Sequence, residues 1–299
     1  MKSAARKRED CCDTLSRCTT LNNALRQIKA CSLCHDTYRH YTTLNALLGM
    51  IKSETMWLTL GKSAKLDDAQ ERKKFGAQEV WKRTYLASFV HDVEESAAMW
   101  GLYCMGSEKA VCVSFPRESI KRWSIALRKI AKKGGFVLVN PHKRDSADRQ
   151  PVEEIELFDI AYADVADTYY SDRERGNFVS WDGVRSKCID SLKGDMKNAQ
   201  ATGVLKDYEW NFEHETRVLV RLKGAVSHAS KIAIPLHGNM LKSMSVTLGP
   251  WLVEGDKGKF EKKIIDALQG KKIFNQIRVS ESSIAGALSK WECGIVSKE

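Results

Sequence analysis

Short runs of β-branched, aromatic and aliphatic residues recur along this chain at irregular intervals, with amphipathic helical patterns between them. Met56-Trp57-Leu58-Thr59-Leu60, Tyr85 to Val90, Ala110 to Phe115, Phe136-Val137-Leu138-Val139, Thr216 to Leu222, Ile232 to Pro235, Ser245 to Leu248 and Ile277 to Ser280 have strand composition. A doubly wound fold needs strand and helix in regular alternation. This chain lacks that rhythm, so the pattern predicts an α+β fold with helices flanking its sheet.

The helical patterns are clear where an apolar stripe repeats. Residues 1–34 read as a helical extension, with Asp13 or Thr14 as its cap and Leu15, Cys18, Leu21, Leu25 and Ile28 at helical spacing. Thr43 to Ile51 is an amphipathic helix capped by Thr42 or Thr43. Glu118 to Lys133 places Ile120, Trp123, Leu127 and Ile130 on one side, and Gly134-Gly135 ends it. Phe260 to Leu268 is another helix, Glu154 to Ala166 reads as strand then helix, and Val184 to Ala199 as helix. Leu66 to Glu71 reads as a polar, exposed segment. The expected division is a helical Cys-rich extension over 1–36 and one α+β domain over 37–299.

No apolar run approaches the 18 or so residues a membrane span needs, and the basic start has no apolar core of a signal peptide. A cytoplasmic location is therefore expected, and with it free thiols in place of disulfides. Five of the nine cysteines, Cys11, Cys12, Cys18, Cys31 and Cys34, lie near the start. Cys31-Ser-Leu-Cys34 followed by His35 has metal-ligand spacing, but a second tight pair is missing. Buried thiols on a helix are the favoured reading, and no metal site is assigned.

The net charge of +10 favours a polyanionic partner. Arg117 to Arg149 holds ten bases against three acids, and Lys257 to Arg278 seven against two. Glu153 to Glu174 is the reverse, with eight acids against one base. Lys121, Arg122, Lys132 and Lys133 share the wet side of one helix and are the candidate nucleic-acid contacts.

The strong catalytic motifs are absent: no Gly-rich nucleotide loop, no His-Glu-x-x-His, no Gly-x-Ser-x-Gly. A set of separated strings stands in their place. Tyr38-Arg39-His40-Tyr41 comes first, then Met56-Trp57-Leu58-Thr59, then Leu66-Asp67-Asp68 with Glu71. Phe89, Met99-Trp100-Gly101-Leu102-Tyr103 and Val111 to Phe115 follow. Lys206, Trp210, Glu213-His214-Glu215-Thr216-Arg217, Leu248-Gly249-Pro250 and Val279-Ser280 close the series.

In that order the strings resemble a large bacterial domain family of unknown function, number twenty-nine seventy-one, over about Thr37 to Ser280. Two strings depart from it: Asp67-Asp68-Ala69-Gln70-Glu71 stands for Asn-Asp-Pro-Phe-Glu, and Ser88-Phe89-Val90 for Cys-Phe-Ser. The family's order of parts is similar to the ADP-ribosyltransferase plan, which implies a split, mostly antiparallel sheet and NAD as substrate. Loss of nicotinamide leaves a cationic ribose, which a carboxylate can stabilise while a second orients the attacking group. The resemblance assigns those roles to Glu215 and Glu213, and cofactor binding to Arg39, His40, Tyr41 and Thr59. It further implies a toxin or defence effector acting on RNA, DNA or protein, held silent by a neutralising partner. Two other functions compete: a non-catalytic basic nucleic-acid-binding module, and a zinc-dependent regulator built on Cys31 and Cys34.

Overall fold

The computed structural model describes residues 4–61, 71–104, 107–138, 149–164, 178–187, 199–223, 229–253, 255–273 and 277–285. The start of the chain forms two helices, α1 (Ala4–Ser16) and α2 (Leu21–Cys31), where the sequence pattern predicts one. The cap is Thr20 and not Asp13 or Thr14: its hydroxyl accepts the Asn23 N–H at 3.3 Å and starts α2. Strand β1 (Thr37–Thr43) leads into α3 (Leu44–Ser53), capped by Thr43 as expected. Next come β2 (Thr55–Leu60), the single turns α4 (Glu71–Lys74) and α5 (Gln78–Trp81), β3 (Thr84–His91) and α6 (Ala97–Cys104). They are followed by β4 (Ala110–Pro116), α7 (Arg117–Lys132), β5 (Phe136–Leu138), β6 (Arg149–Asp159), β7 (Ala161–Asp164), β8 (Phe178–Trp181), β9 (Val184–Lys187) and β10 (Leu205–Asp207). A 3-10 turn over Tyr208–Glu213 feeds β11 (Glu215–Leu222). Strand β12 (Lys231–Pro235), α8 (Gly238–Ser243), β13 (Ser245–Leu248), α9 (Lys257–Gln269) and β14 (Arg278–Glu281) complete the described elements. The fold is α+β, with mostly antiparallel strand pairing and flanking helices.

The chain forms two units, Met1–Tyr38 with Thr55–Asp92 and Pro116–His237, and Arg39–Glu54 with Val93–Phe115 and Gly238–Glu299. In the first, β11 pairs with β3 and β6, β6 with β5, β5 with β12, β12 with β2 and β2 with β3, all antiparallel. The pairings close into a ring of six strands, and such closure leaves β11 bonded on both sides. A second sheet runs β10-β7-β8-β9, its β10–β7 pair parallel. Helices α1 and α2 bury Leu15, Leu21, Leu25 and Ile28 in one cluster with Val179, Trp181, Leu205 and Leu219. Helix α7 buries Ile120, Trp123 and Leu127, and the Trp123 indole N–H donates to the Pro235 carbonyl at 2.8 Å.

Three sequence expectations change here. Residues 161–164, read as the start of a helix, are strand, because Ala161, Tyr162 and Ala163 pair with β10 on one side and β8 supplies partners on the other. Val184–Lys187, read as helix, pairs with β8, and 188–198 lie outside the described residues. Cys11 and Cys31 form a disulfide across α1 and α2 with Cα atoms 6.3 Å apart, inside the bridging range, whereas Cys12, Cys18, Cys34, Cys104 and Cys112 are free. That bond removes Cys31 as a thiolate, so the Cys31–Cys34 zinc pair is not formed.

In the second unit the strand order is β1-β4-β13-β14, with β4–β13 antiparallel and β13–β14 parallel. Helix α3 buries Leu44, Leu47, Met50 and Ile51, and α9 buries Phe260, Ile264 and Leu268. Among the described residues, no helix is long and apolar enough to cross a membrane.

Candidate functional site

Strand β11 alternates its side chains, and two clusters of buried charge grow from its opposite faces. Glu215 and Arg217 point one way. The Arg217 guanidinium forks onto Glu215 at 2.6 and 2.9 Å and onto Glu71 at 2.5 and 3.0 Å. All three are buried, with Arg217 at 1% exposure. The segment around Glu71, read as exposed, therefore ends in a fully buried carboxylate; 62–70 lie outside the described residues. Gly203 holds the turn ahead of β10 at φ +78°, and a Cβ there would meet Leu219 Cδ2 at 2.9 Å. Its carbonyl accepts from Arg217 at 3.3 Å, and the turn delivers Lys206 to the same pocket.

Lys206 donates to Glu213 at 2.5 Å and lies 3.9 Å from Glu215. Its ammonium also sits 4.3 Å from the centre of the Trp210 ring. The Tyr162 hydroxyl accepts the Glu215 backbone N–H at 3.0 Å. Glu213 and Glu215 are thus not a solvated strand edge. They share one buried cation, and their environments differ. Burial and the neighbouring Glu215 charge push the Glu213 carboxyl up to about 7 against the pull of Lys206. Burial would also raise Glu215, but Arg217 and Lys206 overcome it and hold that carboxyl below its ordinary value. Glu71 is raised by burial despite Arg217.

The other face carries Thr216 and a histidine–aspartate cluster. His35 is fully buried, its Nδ1 3.0 Å from Asp92 and its Nε2 2.6 Å from Asp159. Burial favours its neutral form, but the two carboxylates outweigh it and raise the imidazole to about 9. His91 stacks on His35 with ring centres 3.6 Å apart. Burial, and then the His35 charge, push His91 down to about 3, so one ring is charged and the other neutral. Asp159 also accepts from the Trp181 indole at 3.0 Å and the Thr216 hydroxyl at 2.6 Å. Arg8 on α1 forks onto Asp182 and reaches Asp92 at 3.2 Å. His214 meets His91 edge to face at 5.8 Å.

Three residues of this cluster, Asp92, Asp182 and His214, account for three of the five left-handed non-glycine residues described, at φ +50°, +51° and +44°. Asp182 with Gly183 at φ +78° makes the two-residue turn that joins β8 to β9, which needs positive φ at both places. Asp92 caps the Asp36 and Thr37 N–H groups at 2.7 and 3.1 Å while holding His35. Backbone strain of this kind concentrates at functional sites.

The remaining sequence candidates belong to other elements. Thr59 is on β2 opposite Leu86, whereas Glu215 is opposite Val90, four positions or about 13 Å further along β3. Arg39, His40 and Tyr41 belong to the second unit. There Arg39 donates to the Val93 carbonyl, and the buried Tyr41 ring meets Trp100 edge-on at 4.9 Å. Arg122, Lys132 and Lys133 are exposed on or at the end of α7, with Lys121 half-buried among them. Sequence reasoning missed Asp159, Asp182, His214 and Asp92 as a group. Asp182-Gly183 is a readable turn signal, but nothing local marks which charges meet across the ring.

No family model matches this chain, and no curated protein matches it. A solved chain is similar. It is Thermus sp. 2.9 DarT in complex with NAD+, 10% identical, with a TM-score of 0.34 over 83% of this chain and 95% of that one. The resemblance to family twenty-nine seventy-one therefore rests on the strings quoted above.

Proposed function

We propose that the first unit carries an NAD-consuming transferase site in which Glu215 stays ionised and Glu213 moves a proton. What supports this is the split between the two carboxylates: one is raised to about 7 and its neighbour is lowered within a single network. Environments that push paired carboxyls apart are how acid and base roles are divided at neutral pH. Glu215 stabilises the cationic ribose after nicotinamide leaves, and Glu213 takes the proton of the acceptor. Glu213 ends the 3-10 turn Tyr208–Glu213, whose Phe212 is 44% exposed and stacks on Trp210 at 6.0 Å. Thr59 is the NAD contact proposed within this unit; the family resemblance implies Arg39, His40 and Tyr41 as well, and these belong to the second unit.

The acceptor in this reading is RNA or DNA docked on Lys121, Arg122, Lys132 and Lys133, with protein as the alternative acceptor. The chain acts as a cytoplasmic toxin or defence effector under a neutralising partner. The burial of Glu215 against Arg217 favours a second reading, in which the glutamates are structural and the chain only binds nucleic acid.

Incubation of the full chain with nicotinamide-labelled NAD, with and without RNA, DNA or lysate, separates the two. The transferase releases nicotinamide, and Glu215→Gln lowers that rate by roughly a hundredfold or more. Absence of release under every condition leaves the binding module.

A further inference from the structure

We propose that His91, His214 and Asp182 form a site for a first-row divalent cation of the zinc type. One ring nitrogen from each histidine and one Asp182 oxygen lie within 4.8 Å of one another. They come from three separate segments: the end of β3, the β8–β9 turn and the residue between the 3-10 turn and β11. His91 and the Asp182 side chain, 6% exposed, are buried, whereas His214 is half-buried and gives the set its solvent approach.

The hydrogen bonds beneath His91 fix which of its nitrogens can ligate. Thr216 has one hydroxyl proton, and Asp159 Oδ1 at 2.6 Å takes it. The Thr216 oxygen, 2.8 Å from His91 Nδ1, must therefore accept a proton from that nitrogen. The lone pair of His91 is left on Nε2. An outer carboxylate that orients a histidine through its second nitrogen is the usual support of a metal ligand. Here a threonine relays that support. The neighbouring trio His35, His91 and Asp159 fits a cation poorly by comparison. Both His35 nitrogens face carboxylates, and Asp159 already serves His35, Trp181 and Thr216.

Two imidazoles and one carboxylate suit zinc, cobalt or nickel ions more than magnesium or calcium, and three protein ligands leave room for water or substrate. Ligand bonds of about 2.1 Å require the three atoms to draw together. His214 and Asp182, at turn positions, are the ones that move. The Arg8 fork on Asp182 competes with a cation there.

The test is titration of the metal-stripped full chain with Co2+, read by visible absorption. The expected result is about one ion per chain, displaced by Zn2+, with nitrogen and oxygen but no thiolate character. His214→Asn and Asp182→Asn keep residues that accept left-handed backbone, and each should weaken binding at least about a hundredfold. Thr216→Val should weaken it by roughly 10–100-fold through the relay. Arg8→Gln should tighten it, and Cys34→Ser should leave it unchanged. No stoichiometric binding overturns the site. So does binding that survives both His214→Asn and Asp182→Asn in folded protein, or a thiolate-to-cobalt band lost in Cys34→Ser. None of these outcomes bears on NAD turnover.

Discussion

The two faces of β11 balance buried charge in different ways. On the Glu215 face the counter-ions are Arg217 and Lys206, and arginine keeps its charge at any pH a protein survives. On the Thr216 face the buried Asp159 is balanced by an imidazolium, His35, which it shares with Asp92, while Arg8 serves Asp92 and Asp182. One face keeps a permanent arginine charge, and its Glu213 carboxyl is raised to about 7. The other depends on a proton that leaves in mild alkali. Identical strand geometry thus supports one anchor whose arginine keeps its charge and another whose cation is a titrating imidazolium.

The largest expected effect breaks the permanent side. Arg217→Met leaves Glu71 buried without its ion-pair partner and Glu215 with only Lys206, 3.9 Å away, which costs about 3–5 kcal/mol in a denaturant titration. A loss under 1 kcal/mol would show that the fork contributes little.

The pH dependence separates the faces next. His35 has a folded value of about 9, above its ordinary 6.5. A raised histidine stabilises fully below its unfolded value, so this contribution is present below pH 6.5 and lost as pH climbs to about 9. The loss is about 3 kcal/mol, and His35→Gln should abolish that slope. Glu213 is raised from 4.5 to about 7, so the folded state holds its proton more tightly. Stability should fall as pH rises between those values, and Glu213→Gln should flatten that window alone. Asp92 runs the other way: burial would raise it, but His35 and the two N–H groups hold it low, so its support is lost only as pH falls below the ordinary carboxylate range.

The disulfide ranks with these. It closes a separation of 20 residues between α1 and α2, and its reduction should cost about 3 kcal/mol on the chain-entropy account. Cys11→Ser with a thermal melt checks it. Charge reversal at Lys121, Arg122, Lys132 and Lys133 is the smallest for stability, within about 0.5 kcal/mol. The salt slope of RNA binding should nonetheless drop by roughly one unit per lost phosphate contact.

Much of the frame was legible in the sequence. The α7 stripe of Ile120, Trp123 and Leu127, its Gly134 stop and the Thr43 cap of α3 follow from local rules of spacing and capping. β11 was readable for the same reason. The errors came where tertiary pairing decides. Ala161-Tyr162-Ala163 has no strong local preference, and its strand state comes from β8 and β10. Glu71 looks like a surface residue until Arg217, 146 positions later, claims it. Glu213 and Glu215 could be singled out from their spacing, but their burial and opposite shifts depend on Lys206 and Arg217. The His35–Asp159 contact spans 124 positions and left no mark in either segment.

The central claim is that Glu213 and Glu215 sit in different protonation states within one network. Carbon-13 NMR of the glutamate side-chain carboxyls, assigned with Glu213→Gln and Glu215→Gln, tests it directly. The account predicts a Glu213 midpoint near 7 and a Glu215 midpoint below its ordinary value. Two carboxyls titrating together near 4.5 would contradict it and remove the basis for dividing acid and base roles between them.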